Sequence, residues 1–260
     1  MIDVKRVLSK IAAFFKSATI SYSKIGAYEF CPFKYKLLYV NGWKVPPNPY
    51  ISLGLTVHGA LDEYHKRDTS SLGELLSIYE ERWVNLGFPD PASSLEFHAS
   101  GQKMLEDFFA WNAARLAKGI RTVYSEKSFS FPLGRHKVMG IIDRVDKYPD
   151  GTYEVMDYKT HRDEWTQEKI DSDYQLSLYS AGLKKNLGIK PAKLSYYFLF
   201  RNDYVTGSRP PSAEKKALAA ASRAANAIVA GEFIPRREAC HKCDFKNRCP
   251  ESSVGQRGRV

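Results

Sequence analysis

Cysteine is scarce in this chain, four in 260 residues, and since nothing else in the sequence looks secreted, disulfides are not expected. No apolar run approaches the ~20 residues of a membrane-spanning helix, so no spanning segment and no membrane partner is expected. The start offers only the apolar run Ile11 to Phe15, too short for a secretory signal core, and cytoplasmic residence is the expectation. There is no Gly-x4-Gly-Lys-Ser/Thr sequence, which excludes a P-loop motor, and no Gly-x-Ser-x-Gly, which removes support for a serine hydrolase. Repeats and low-complexity blocks are absent as well. Acidic residues are in deficit, 29 against 39 Lys and Arg, with a pI near 9.3. That imbalance favours a polyanionic partner such as nucleic acid, set against the plainer reading of a solvated basic surface.

The hydrophobic fraction of 43% and aromatic fraction of 13% allow a sizeable core. Val4, Val7, Leu8, Ile11, Phe14 and Phe15 have helical spacing, so residues 1–18 read as an amphipathic helix or arm that docks on the body, with a membrane-surface role as the alternative. Residues 54–66, 74–86 and 96–117 read as helices. Strands are expected at Arg121–Phe131, Lys137–Tyr148 and Thr152–Thr160, the last two joined by the tight turn Pro149-Asp150-Gly151. A helix over 166–187 ends at Gly188, Lys193–Phe200 is a strand, and Ser212–Glu232 is a helix capped by Ser212. The order predicts an α/β fold with helices on both sides of a sheet, and a loose tail over 251–260.

Three of the cysteines form Cys-x2-Cys-x5-Cys (Cys240, Cys243, Cys249), while Cys31 stands alone near the other end. Four thiols brought to one centre suit either Zn²⁺ or an iron–sulfur cluster. The set would staple the two ends of the chain. The bland reading is four unrelated buried cysteines. Basic residues flank two of these positions (Lys34, Lys36; Arg236, Arg237, Lys242, Lys246, Arg248), with Tyr28, Phe33, Tyr35 and Tyr39 near the first. Phosphate grip and base stacking are the functional expectation there.

Asp143 lies in one strand of the expected hairpin, and Asp157 and Lys159 lie in the other. Alternate strand residues share a face, so Asp157 and Lys159 point the same way and Asp143 can meet them across the turn. Paired carboxylates form a hard oxygen site for Mg²⁺ or Mn²⁺, and a lysine beside them can offset charge on a phosphoryl transition state. Acid-x-Lys by itself carries little information, since it also occurs at Asp3/Lys5, Glu214/Lys216 and Asp244/Lys246. A strand-edge salt bridge is its plain alternative. His58 can add a nitrogen ligand. Gln175 and Tyr179, four apart on a helix, can hold a phosphate or brace Lys159, with simple packing as the alternative.

The order Gly54-x3-His58, GIID ending at Asp143, Asp157-Tyr158-Lys159 and Gln175-x3-Tyr179 resembles the RecB-type branch of the PD-(D/E)XK nucleases. The cysteines before and after it resemble the iron–sulfur subgroup, which includes AddB-type nuclease domains and the CRISPR-associated protein four family. The segment SYSKIGAYEFCPFKYKL is similar to the one carrying the first cluster cysteine there. The resemblance implies a restriction-endonuclease-like α/β core, a central mixed sheet flanked by helices, as a single domain over 19–250. It implies metal ligation by His58, Asp143, Asp157 and the Tyr158 carbonyl, a catalytic Lys159, and support from Gln175 and Tyr179. It also implies a 4Fe–4S cluster on Cys31, Cys240, Cys243 and Cys249. The expected activity is a Mg²⁺- or Mn²⁺-dependent DNA exonuclease on single-stranded or frayed ends, in repair or recombination, with a helicase as partner. The alternatives are a spacer-acquisition nuclease working with CRISPR adaptation proteins, or a non-catalytic nucleic-acid-binding protein with a structural four-cysteine zinc site.

Overall fold

A computed structural model describes residues 16–67, 71–207 and 209–254. The expected N-terminal arm, apart from 16–18, and the last six positions of the expected tail lie outside the described residues. Six strands form one mixed sheet: β1 (Thr19–Ile20), β2 (Arg121–Leu133), β3 (His136–Lys147), β4 (Tyr153–Lys159), β5 (Lys193–Phe198) and β6 (Asp203–Gly207). Their order is β1-β3-β4-β5-β6, with β2 also on β3. The β3–β4 and β5–β6 pairs are antiparallel, whereas β1–β3 and β4–β5 are parallel.

Contacts divide the chain into two compact units, and β2 and β3 contribute residues to both. The larger takes Pro47–Phe129 and Ile141–Glu214. In it, α3 (Pro49–Arg67), α4 (Leu72–Glu81) and α5 (Pro91–Ala117) pack on one sheet face through Leu53, Val57, Leu61, Leu105 and Phe108 against Met156, Tyr158 and Tyr197. Residues of opposite parity in β4 look the other way, toward α6 (Gln167–Ser172) and α7 (Tyr174–Leu187). There Gly182 leaves room for Phe129, whose ring an added Cβ would meet at 2.4 Å. The expected hairpin turn forms: Tyr148 N–H donates to the Thr152 carbonyl at 2.9 Å and Gly151 has φ +83°.

Several boundaries differ from expectation. The 166–187 helix is interrupted at Asp173, which is extended (φ −66°, ψ 136°) and caps the next helix by accepting from Gln175 N at 2.8 Å. The helix expected at 212–232 begins at Pro211 and ends at Val229, so Ser212 sits inside it and is not its cap. Strand β5 stops at Phe198, because Leu199–Arg201 turns as a 3₁₀ segment into β6, a strand the sequence reading did not contain.

One feature of the larger unit is electrostatic. Asp146 and Glu154 are direct cross-strand neighbours, a destabilising like-charge pairing by itself. Arg115 from the last turn of α5 donates to both, at 2.8 and 2.5 Å. Arg144, fully buried, donates to Asp146 at 2.6 Å and to Asn112 at 2.7 Å. The two cations hold Asp146 below its ordinary carboxylate range against the upward pull of burial.

The smaller unit takes 16–46 of the described N-terminal residues, Ser130–Gly140, and Lys215 onward. It holds β1, α1 (Tyr22–Phe30), α2 (Pro32–Tyr35) continuing as a π-helical turn, and most of α8 (Pro211–Val229). Ser21 caps α1, and Pro32 ends it by opening α2.

Candidate active site

Strand β4 sets the position of the acid–lysine group. Its ladder with β3 reaches Arg144↔Met156, and one step beyond, the Asp143 carboxylate accepts from the Tyr158 N–H at 2.8 Å. Asp157 is 2% exposed. Its Oδ1 accepts from Gln175 Nε2 at 2.6 Å, and its Oδ2 lies 2.7 Å from Lys159 Nζ. That second contact is ionic and poorly aligned, so Oδ2 is a buried atom with no hydrogen bond. Gln175 works at both ends: its Oε1 accepts from Lys159 at 2.7 Å and its amide also donates to Tyr179 Oη at 2.9 Å. The break at Asp173 is what puts Gln175 in the first turn of α7, where it can reach both residues.

His58 comes from α3, with Nδ1 3.4 Å from Asp143 Oδ2 and its ring edge-on to Tyr158. One turn earlier, Gly54 lets the helix approach the chain after β4, since a Cβ there would meet Thr160 Oγ1 at 3.2 Å. Burial pulls the His58 pKa down, so the ring is neutral near pH 7 and free to act as a ligand. Asp143 is pushed well above the usual aspartate range, first by burial and then by the Asp157 charge. Burial and both aspartates likewise push Tyr179 up. The Tyr158 side chain is on the opposite face, 3.2 Å from His65 and 3.4 Å from Arg144, so only its backbone is turned to the acids. His58, Asp143, Asp157, Tyr158, Lys159 and Gln175 line a cleft of about 380 Å³ with Tyr50, Ile51 and His161 on its walls.

The structure thus brings His58, Asp143, Asp157, Lys159, Gln175 and Tyr179 together. It adds Glu126 from β2: the ligand atoms of His58, Glu126 and Asp143 all lie within 4.8 Å of one another. The sequence reading did not contain Glu126, because an acid in a polar stretch of an edge-like strand carries no local signal.

In the smaller unit, Cys31, Cys240, Cys243 and Cys249 line a single cavity with Phe30, Phe33 and Leu37 among its walls. Arg236 N–H donates to Cys31 Sγ at 3.3 Å. The expectation of free cations and rings here is met only in part. Lys34 is paired with Asp244 at 2.5 Å and Arg237 with Glu251 at 3.2 Å. Tyr35 is buried against Phe233, and the Tyr28 hydroxyl donates to the Glu232 carbonyl at 2.6 Å. Tyr39, at 43% exposed, keeps an accessible ring.

The mixed sheet thus presents two carboxylates and a lysine from neighbouring strands into one polar cleft, an arrangement suited to a divalent cation and a phosphate. The PD-(D/E)XK nuclease superfamily profile matches residues 19–250, and the chain belongs to that superfamily. Among solved structures, a candidate exonuclease from Eubacterium rectale is similar over 93% of this chain and 88% of that one, with a TM-score of 0.50 at 14% identity. A protein named SSO0001 gives a TM-score of 0.38 at 15% identity over 84% of this chain and 94% of that one. No curated protein sequence matches.

Proposed function

We propose that the chain is a divalent-metal-dependent DNA exonuclease acting on single-stranded or frayed ends, in a repair or recombination setting. The observation that carries this is the convergence of Asp143, Asp157 and Lys159, with Asp157 Oδ2 buried and lacking a hydrogen bond. Two buried carboxylates facing one ammonium leave negative charge that a divalent cation would offset. The donor set is hard oxygen plus one imidazole, which fits Mg²⁺ or Mn²⁺. His58, Asp143, Asp157 and the Tyr158 carbonyl would hold the ion. When bound, it supplies Lewis-acid chemistry, acidifying water and polarising the scissile phosphate.

The chain's own residues do the rest. Gln175 fixes Lys159 by accepting from it and fixes Asp157 by donating to it, so the ammonium is held toward the cleft without rearrangement. The Lys159 ammonium offsets the charge that develops on the phosphoryl oxygens. Tyr50 is 59% exposed at the mouth of the cleft, and Phe97 meets it edge-on at 5.2 Å. A ring held that way keeps a face free for an unpaired base, which supports single strands over intact duplex.

For the thiols, a 4Fe–4S cluster is the better reading than a single zinc. All four thiols line one cavity, and the placement of Cys31 before the acid–lysine motifs and of Cys240, Cys243 and Cys249 after them resembles the iron–sulfur subgroup. A brown protein with iron and sulfide supports this, and a colourless protein with one zinc per chain overturns it.

The function itself is tested with end-labelled single- and double-stranded DNA plus Mg²⁺, Mn²⁺ or chelator. Stepwise shortening of the single strand that chelator abolishes is expected. No cleavage of either substrate with either ion overturns the proposal.

A further inference from the structure

We infer that Glu126 is a further carboxylate ligand of the metal centre, delivered by a one-residue bulge in β2. This rests on the metal-dependent reading above and adds a residue to it. Along β2 the more buried positions are first even-numbered, Thr122 and Tyr124, and then odd-numbered, Phe129 and Phe131. The phase of a regular strand does not change, so one extra residue lies between. The break falls at 125–127, and Glu126 has φ +44°, one of two non-glycine residues with positive φ among those described. The other, Asn202, closes a turn, where that residue type is ordinary. A glutamate there is strained, and bulges re-aim side chains beside active sites.

The result is a carboxylate within 4.8 Å of the ligand atoms of His58 and Asp143. Glu126 makes no hydrogen bond or ion pair among the described residues. Two charged groups that act on it, Asp62 and Lys66, are paired with each other at 2.5 Å. On the other sheet face, where Asp146 and Glu154 meet, Arg115 is inserted between them. Around the site, Glu126 and Asp143 gather with the His58 imidazole beside Asp157, and the ammonium among them, Lys159, is committed to Asp157 and Gln175. The buried Asp157 Oδ2 is still without a hydrogen bond. A divalent cation supplies the missing positive charge, and Glu126 is placed to share it.

The test is Mn²⁺ binding to the purified full chain, followed by calorimetry and by the metal-induced rise in melting temperature. Asp143→Asn serves as the reference that must lose binding. Glu126→Gln, close to isosteric, is expected to weaken Mn²⁺ binding by about 10-fold or more. Its metal-free melting temperature should stay equal or rise, and the Mn²⁺ concentration for half-maximal cleavage should increase while KM for DNA does not. Should Glu126→Gln bind Mn²⁺ like wild type, the inference is overturned while the metal-dependent function stands. If wild type and Asp143→Asn bind alike, the function proposed above falls as well. Where Glu126→Gln fails to fold, Glu126→Asp takes its place, with weaker binding expected. If neither folds, Glu126 is structural and the inference is wrong.

Discussion

The acidic cleft and the cysteine cavity, each proposed above to hold an inorganic group, keep their side chains in place by opposite means. In the cleft, each side chain is tied to another. Asp143 is held by the Tyr158 N–H, Asp157 by Gln175, and Lys159 by both Asp157 and Gln175. In the cavity, the thiols of the C-terminal group sit on a 3₁₀ segment (Arg237–Lys242) and the turns after it, and one backbone N–H reaches Cys31. Carboxylates repel and lose solvation, so the fold must hold them in place before any ion arrives. Neutral thiols tolerate burial, so a cavity of thiols can leave its organisation to the group proposed for it. The difference is between side chains tied to one another beforehand and side chains that a bound group would tie.

The sharpest way to break this comparison is at the lysine. Lys159→Ala or Asp157→Ala should lower the single-turnover cleavage rate by roughly 10² to 10³ or more, with DNA affinity by anisotropy and the melting temperature little changed. A cleavage rate equal to wild type would remove these residues from the chemistry. Next is the buried support behind the cleft. Arg144→Ala leaves Asp146 with a cation missing and should cost about 3–5 kcal/mol in urea unfolding. A loss under about 1 kcal/mol would mean the network is incidental.

The cavity should respond differently. Cys243→Ala is expected to lower soluble yield and melting temperature, with iron content falling together with them. A variant that melts like wild type would sink the staple. The smallest effect is in pH. Because the Asp143 pKa is raised in the folded state, its contribution falls as pH rises from the ordinary aspartate value, about 4, through the raised value. Metal-free wild type should therefore gain stability relative to Asp143→Asn on acidification across that window. Saturating Mn²⁺ should reverse the trend. Parallel profiles for the two proteins would show that Asp143 is not perturbed.

Much of the site was legible because its signals are local. Alternation in EVMDYKT fixes which way Asp157 and Lys159 point, and Asp150-Gly151 fixes the turn that brings Asp143 alongside. Helical spacing put Gln175 and Tyr179 on one face. Glu126 was hidden because a change of phase within a strand has no sequence signature that separates it from ordinary strand. Arg115 was hidden because it is 31 residues from Asp146 and 39 from Glu154. The break at Asp173 was read through because polar residues before it keep helical periodicity.

The amino-acid order alone determined the four strands β2 to β5, the turn between β3 and β4, the common face of the acid and the lysine, and the grouping of three thiols, since each depends on residues within a few positions of one another. Only the tertiary structure decided that α5 sends an arginine between two opposed acids, that β2 turns a glutamate toward His58 and Asp143, and that Gln175 bridges Asp157 to Lys159. Those meetings depend on packing between elements distant in the chain, where an ångström of displacement separates a bond from a gap.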